Sequence, residues 1–139
     1  MATNQTNPIP QAAAVPYRWR DAEPEFCLIT SSSGKRWGFP KGLIDPGETV
    51  HETALKEAEE EAGLHGRIEG EPLGSYTYRK WGSELLVTVF LMRVTRVNDE
   101  WLEADLRERC WCRAESARDK MDNQALRELL GAAMARLGA

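Results

Sequence analysis

Glu57, Glu59, Glu60 and Glu61 put four carboxylates into five positions of the run Gly42 to Leu64, GLIDPGETVHETALKEAEEEAGL. At about 100° per residue, a helix brings Glu57, Glu60 and Glu61 within about 100° of arc and turns Glu59 nearly the opposite way. Like charges three and four residues apart cost roughly 0.2–0.5 kcal/mol each. Carboxylates crowded at the rim of a core also raise one another's pKa unless a cation stands between them. A hard divalent ion supplies that charge. Mg²⁺ prefers oxygen ligands, keeps several waters, and is usually held by one or two carboxylates together with phosphates. Glu57, Glu60 and Glu61 are therefore candidate ligands of a divalent metal, working beside a phosphate group. A bare glutamate-rich helix is more often a solvated face, and the spacing of the whole segment separates the two readings.

The elements that must position this ridge are marked locally. Thr49 and Glu52 form a T-x-x-E capping box, and Gly63 stands where a left-handed C-terminal residue is wanted, so a helix runs from Val50 to Ala62. Ala54, Leu55, Ala58 and Ala62 line its apolar side, with Glu52, Lys56 and Glu59 toward water. In the preceding loop, Gly42 and Gly47 let backbone approach an ion or phosphate, and Pro46 stiffens the turn. Carbonyl oxygens of Lys41 or Gly42 are expected to complete the metal shell.

The rest of the chain reads as one domain. Its 139 residues, 42% apolar and 29% charged, suit a single globular unit over residues 11–139. The apolar runs are too short to cross a bilayer, and Met1 to Pro10 reads as a polar tail without a secretory signal. The expectation is a soluble, cytoplasmic protein with no membrane partner. A net charge of −4 argues against nucleic-acid binding. Cys27, Cys110 and Cys112 lack paired zinc-site spacing and read as plain reduced thiols. Strands are expected at Gln11 to Tyr17 and Glu25 to Ser31, joined by a turn through Arg18–Pro24. A short extended piece at Trp37 to Pro40 leads into the acidic segment, and β-prone residues follow from His65 to Arg79. Glu84 to Val97 reads as a central strand and Arg109 to Arg113 as the last one. Asn123 to Leu137 repeats apolar residues at helical spacing. The outline is an α/β sandwich with a mixed sheet between helices.

Gly42, five residues, Glu48, seven residues and then Lys56-Glu57-Ala58-Glu59-Glu60-Glu61-Ala62-Gly63-Leu64 resembles the Nudix box over its full 23 positions. Lys56 stands where the box usually has arginine, and Ala58 where it has a larger aliphatic residue. Loss of the bidentate guanidinium implies a looser hold on Glu48 or Glu60. The resemblance implies an α/β/α sandwich that hydrolyses phosphoanhydride bonds with Mg²⁺ or Mn²⁺. It casts Glu57 and Glu61 as ligands, with Glu60 as a third ligand or the general base. Asp99, Glu100 and Glu103 are candidates for a base on a distant loop, and Gly42, Glu48, Lys56 and Gly63 are structural positions.

Outside the box, the order of features looks like the diphosphoinositol polyphosphate phosphohydrolase subgroup. A dense polyphosphate needs many point charges, and Arg18, Arg20, Lys35, Arg36, Lys41, Arg79, Lys80, Arg107 and Arg109 come from segments flanking the box. The neighbouring reading is a dinucleoside polyphosphate hydrolase, with Tyr76, Tyr78, Trp81 or Trp101 stacking on adenine. Two others are a pyrophosphohydrolase that clears damaged nucleoside triphosphates and a non-catalytic regulatory module on the same fold.

Overall fold

The protein is described by a computed structural model covering residues 7–138. A first strand, β1 (Ile9–Arg20), runs through the middle of the molecule and is buried on both faces. Side chains alternate along a strand. Ala12 and Ala14 thus enter one apolar cluster, while Ala13, Val15 and Tyr17 enter another on the opposite side. The same division holds in β2 (Glu23–Thr30), where Cys27 and Ile29 face one way and Phe26 and Leu28 the other.

The turn expected through Arg18–Pro24 is shorter than its composition suggested. β1 continues to Arg20, and only Asp21 and Ala22 turn, with φ of 53° and 64°. Two left-handed residues suit the twist of a two-residue hairpin. Arg18 and Arg20 both donate through Nε to Glu25 Oε1, at 3.0 and 3.2 Å, which holds the strands together up to the turn.

Beyond the hairpin, β1 and β2 part. β2 pairs with β1 only from Glu23 to Phe26, and at Ile29 and Thr30 it pairs instead with β3 (Trp37–Gly38). The first half of β1 pairs with β4 (Lys41–Leu43), Gln11 opposite Leu43 and Ala13 opposite Lys41. Residues 37–43 thus bridge the fork between the diverging strands. Pro16 stands near the point of divergence, where a strand can do without one amide donor. Of the expected extended piece at Trp37 to Pro40, only Trp37 and Gly38 form a strand, and a second short strand on a different neighbour begins just after it at Lys41.

On its other edge, β1 pairs in parallel with β6 (Ser83–Val97), which pairs antiparallel with β5 (Leu64–Lys80). β6 is an interior strand, as its apolar run implied. β7 (Arg109–Arg113) pairs with β2. Helix α1 (Val50–Ala62) covers one face of this mixed sheet, with Ala54, Ala58 and Ala62 fully buried against Leu64, Phe90 and Met92. α2 (Ala114–Lys120) and α3 (Gln124–Leu137) supply Ala117, Leu129, Leu130 and Ala133 to the cluster on the other face. The α/β sandwich is as expected, with α2 added.

Of the expected N-terminal tail, Met1 to Thr6 lie outside the described residues, whereas Ile9 and Pro10 open β1. No helix among the described residues is long and apolar enough to cross a membrane.

Candidate active site

Both ends of α1 are built as its capping residues require. The Thr49 side chain accepts from the Glu52 amide and the Glu52 side chain from the Thr49 amide, while Gly63 has φ of 69°. A side chain at Gly63 would also press on Trp101 and Arg109. The helix bounds are those the sequence predicts.

The loop before the helix is tied to it by Glu48. This carboxylate accepts from the Asp45 amide at 3.1 Å, the Thr53 hydroxyl at 2.9 Å and Lys56 Nζ at 3.0 Å. Lys56 Nζ also reaches Asp45 Oδ2 at 2.8 Å. These hydrogen bonds hold the Lys56 ammonium above its ordinary pKa and, led by the Lys56 bond, Glu48 below its own. Glu48, one of the two carboxylates for which lysine in place of arginine implies a looser hold, thus has Lys56 as one of three donors.

Glu57 and Glu61 face inward, with 12% and 9% of their side chains exposed, while Glu59 lies in solvent. Burial, reinforced by Glu61 alongside, pushes the Glu57 carboxyl up to about 8. Burial raises Glu61 as well, against the pull of Arg107 and the Lys41 amide. Gly42 makes room for this pair, because a Cβ there would overlap the Glu57 carboxyl group. Glu60 is half-buried on the flank of the ridge. No cluster of three or more His, Cys, Asp and Glu side chains suited to a metal ion occurs among the described residues. Of the three expected carboxylate ligands, the structure thus brings Glu57 and Glu61 together.

Lys41 is placed by the β1–β4 register. Antiparallel pairs alternate between hydrogen-bonded and non-hydrogen-bonded positions. The Ala14 amide donates to the Pro40 carbonyl at 3.1 Å, so the Ala13–Lys41 pair is non-bonded and the Ala12–Gly42 pair bonded. The Lys41 amide accordingly turns away from β1 and donates to Glu61 Oε1 at 3.1 Å. Its carbonyl turns the same way, whereas Gly42's belongs to the ladder. Two buried carboxylates of raised pKa, a carbonyl turned toward them and a glycine cradle fit a hard divalent ion. Mg²⁺ commonly asks for no more protein ligands than these.

Beside the ridge opens a cleft of about 430 Å³, lined by Lys41, Glu61 and Arg107 near the carboxylates and by Trp37, Tyr76 and Leu126 farther along. That volume is in the usual range for a small-molecule site. Of the nine cations expected at substrate, Arg36, Lys41, Lys80 and Arg107 line it. Arg18 and Arg20 are engaged with Glu25, and Arg18 also lies 3.9 Å over the Trp111 ring. Arg109 donates to the Ala62 carbonyl at 2.8 Å and stacks on Trp101, and Arg79 donates to the Gly82 carbonyl. None of these four lines the cleft, nor does Lys35.

Gln11 and Thr30 were not singled out from sequence, and Tyr78, expected as a stacking ring, joins the site through its hydroxyl. Tyr78 accepts from Lys41 Nζ at 2.9 Å and donates to Gln11 at 2.7 Å, which orients the lysine. The Thr30 carbonyl accepts from Arg107 at 3.0 Å. Gln11, a polar residue in an otherwise apolar first strand, carried a visible signal, and Thr30 carried none. Among the loop acids, Glu103 approaches the ridge. Its amide donates to the Glu60 carbonyl at 3.0 Å, and its charge acts on Glu61.

A mixed sheet between helices that delivers a glycine loop into an acidic helix is the architecture of a Nudix domain. The family model for the NUDIX domain matches residues 8–132, and the chain belongs to the Nudix family. Among its relatives, Nudix hydrolase 4 of Arabidopsis thaliana is 33% identical over 128 residues, 85% of this chain and 61% of that protein. This chain thus spans about three fifths of that relative. Other Arabidopsis relatives are Nudix hydrolases named as mitochondrial and chloroplastic. The rat bis(5'-nucleosyl)-tetraphosphatase [asymmetrical] is 51% identical over 41 residues, 29% of this chain and 28% of that one. Among solved structures, a binary complex of C. elegans Ap4A hydrolase superposes with a TM-score of 0.80 at 27% identity, covering 94% of this chain and 98% of that chain.

Proposed function

We propose that this protein hydrolyses phosphoanhydride bonds in dinucleoside polyphosphates, with Mg²⁺ or Mn²⁺ held by Glu57, Glu61 and the Lys41 carbonyl. One observation carries the reading. One cleft connects the buried carboxylate of Glu61 and the Lys41 beside it to an aromatic wall of Trp37 and Tyr76. Polyphosphate is matched by the first end and a nucleobase by the second, since aromatic rings stack on bases of any sequence. The Ap4A hydrolase and bis(5'-nucleosyl)-tetraphosphatase named among the relatives are in keeping with it.

A divalent ion, when bound, would offset charge on the phosphates and lower the pKa of an attacking water. Within the chain, Lys41 and Lys80 would bind phosphate oxygens, and Glu60 or Glu103 would accept the proton of that water. Gly42 keeps the Glu57 carboxylate seated. Diphosphoinositol polyphosphates are the second reading, favoured by the cations Arg36, Lys41 and Lys80 along the cleft. The expected cytoplasmic location remains part of the proposal.

The test is a substrate panel with Mg²⁺ or Mn²⁺ and with EDTA. It offers diadenosine polyphosphates, diphosphoinositol polyphosphates, ADP-ribose and nucleoside triphosphates. Metal-dependent turnover greatest on diadenosine polyphosphates is expected. Greatest turnover on the inositol compounds would transfer the assignment to the second reading, and on nucleoside triphosphates to a pool-clearing enzyme. Ligand binding in EDTA without phosphate release in any condition would identify a regulatory module.

A further inference from the structure

Arg107 lines the cleft, yet its guanidinium is occupied by the protein itself. Nε donates to Glu103 Oε1 at 2.7 Å, Nη1 to the Thr30 carbonyl at 3.0 Å and Nη2 to Glu61 Oε2 at 3.3 Å. Its three nitrogens thus reach three separate segments: the loop after β6, the end of β2 and the carboxylate ridge of α1. Its side chain is 15% exposed. The other cleft cations differ. Among the described residues, Arg36 and Lys80 form no ion pair with a carboxylate, and Lys80 only overlies the Trp81 ring at 4.7 Å.

Glu103 is the centre of the segment that Arg107 holds. Its amide is tied to the Glu60 carbonyl, and its own carbonyl accepts from the Leu106 and Arg107 amides at 2.9 and 3.1 Å. Three acidic side chains, Glu57, Glu61 and Glu103, crowd this corner, and mutual repulsion would drive the loop outward. One guanidinium bridging two of them opposes that. A planar fork can serve three acceptors at fixed angles, whereas a lysine ammonium is a single point on a flexible stem.

We propose that Arg107 is a positioning residue that fastens Glu103 and its loop to the Glu57–Glu61 ridge, and that it is not a ligand of the substrate's phosphates. The catalytic half of this proposal rests on the metal-assisted hydrolysis put forward above. Its structural half does not.

The experiment compares Arg107→Lys and Arg107→Met with the unaltered protein. Amide hydrogen exchange is followed at residues 103, 106 and 107 in the metal-free protein, and steady-state hydrolysis of diadenosine tetraphosphate is followed with Mg²⁺. Exchange at those amides is expected to quicken about tenfold or more in both variants, as local opening becomes easier. Turnover should fall about tenfold or more with KM held within about twofold, the signature of a lost transition-state arrangement rather than lost ground-state binding. Lysine should fail to rescue either. Should Arg107→Met not fold, Arg107→Lys, which keeps the charge, carries the test alone. Unaltered exchange, or a KM raised about tenfold with kcat retained, would overturn the proposal. If the unaltered protein cleaves no phosphoanhydride, the functional reading falls, and exchange by itself upholds or overturns the fastening of the loop.

Discussion

Glu57→Gln should make the metal-free protein more stable, by a margin that is small in acid and grows as pH rises to about 8. The Glu57 carboxyl is pushed up to about 8 by burial and by Glu61, while in an unfolded chain a glutamate titrates near 4.3. Between these values the folded protein holds more protons than the unfolded one, so stability must fall as pH rises through the window. Below about pH 4.3 the penalty is absent, and above about pH 8 it is complete. At about 1.36 kcal/mol per pKa unit, the full shift sets a ceiling near 5 kcal/mol. With 12% of the side chain still exposed, solvent screening lowers the figure to about 2–3 kcal/mol. Glutamine keeps the shape and discards the charge. Thermal melts in EDTA at pH 5 and pH 8.5 should therefore give variant and parent similar midpoints in acid. In base the variant should lead by about 6–10 °C for a domain of this size. A divalent ion should raise the parent's midpoint at pH 8.5 and leave the variant's nearly unmoved. A gap between the two proteins that stays constant from pH 5 to 8.5 would falsify the claim that Glu57 is a strained buried carboxylate.

Gly42→Ala drives a methyl group onto the Glu57 carboxyl. It should cost about 1–3 kcal/mol of stability and sharply weaken Mn²⁺ uptake measured by calorimetry, and undiminished uptake would mean that Gly42 is no cradle. Glu60→Gln should lower kcat by about 10²–10⁴, the usual range for a general base, with an unchanged melting curve. Near-normal turnover would exclude Glu60 as base or essential ligand. Lys80 lines the cleft and Arg79 does not. Lys80→Ala should therefore raise KM for long polyphosphates more than for short ones, while Arg79→Ala changes neither, and equal effects from the two would contradict the strand's alternation.

The acidic helix was legible because its signals are local. A capping box, a left-handed glycine and the angular spacing of Glu57 and Glu61 all act within a few turns of chain, and the structure keeps them residue for residue. Seven-residue α2 escaped notice because Arg113, at its N-cap, makes no side-chain capping bond. The exchange of partners along β1 was hidden for a different reason. Residues 37–43 pair with strands that begin more than ten positions earlier, and no short-range pattern encodes such a choice. The basic residues were hardest to sort. Whether an arginine meets substrate or protein depends on register, and Glu25 across the hairpin claims Arg18 and Arg20. Ala62 and Trp101 likewise hold Arg109, which the chain order alone places beside the box.

Because residues 37–43 are pinned on both sides of the fork, the Ser31–Arg36 turn that precedes them is mechanically insulated from the carboxylates. Its length and sequence can change at the rim of the cleft without shifting Glu57 or Glu61. Such an arrangement lets a lineage retool what the mouth accepts while the cutting edge stays in register, and it makes this turn the natural place to graft a new appetite onto the same chemistry.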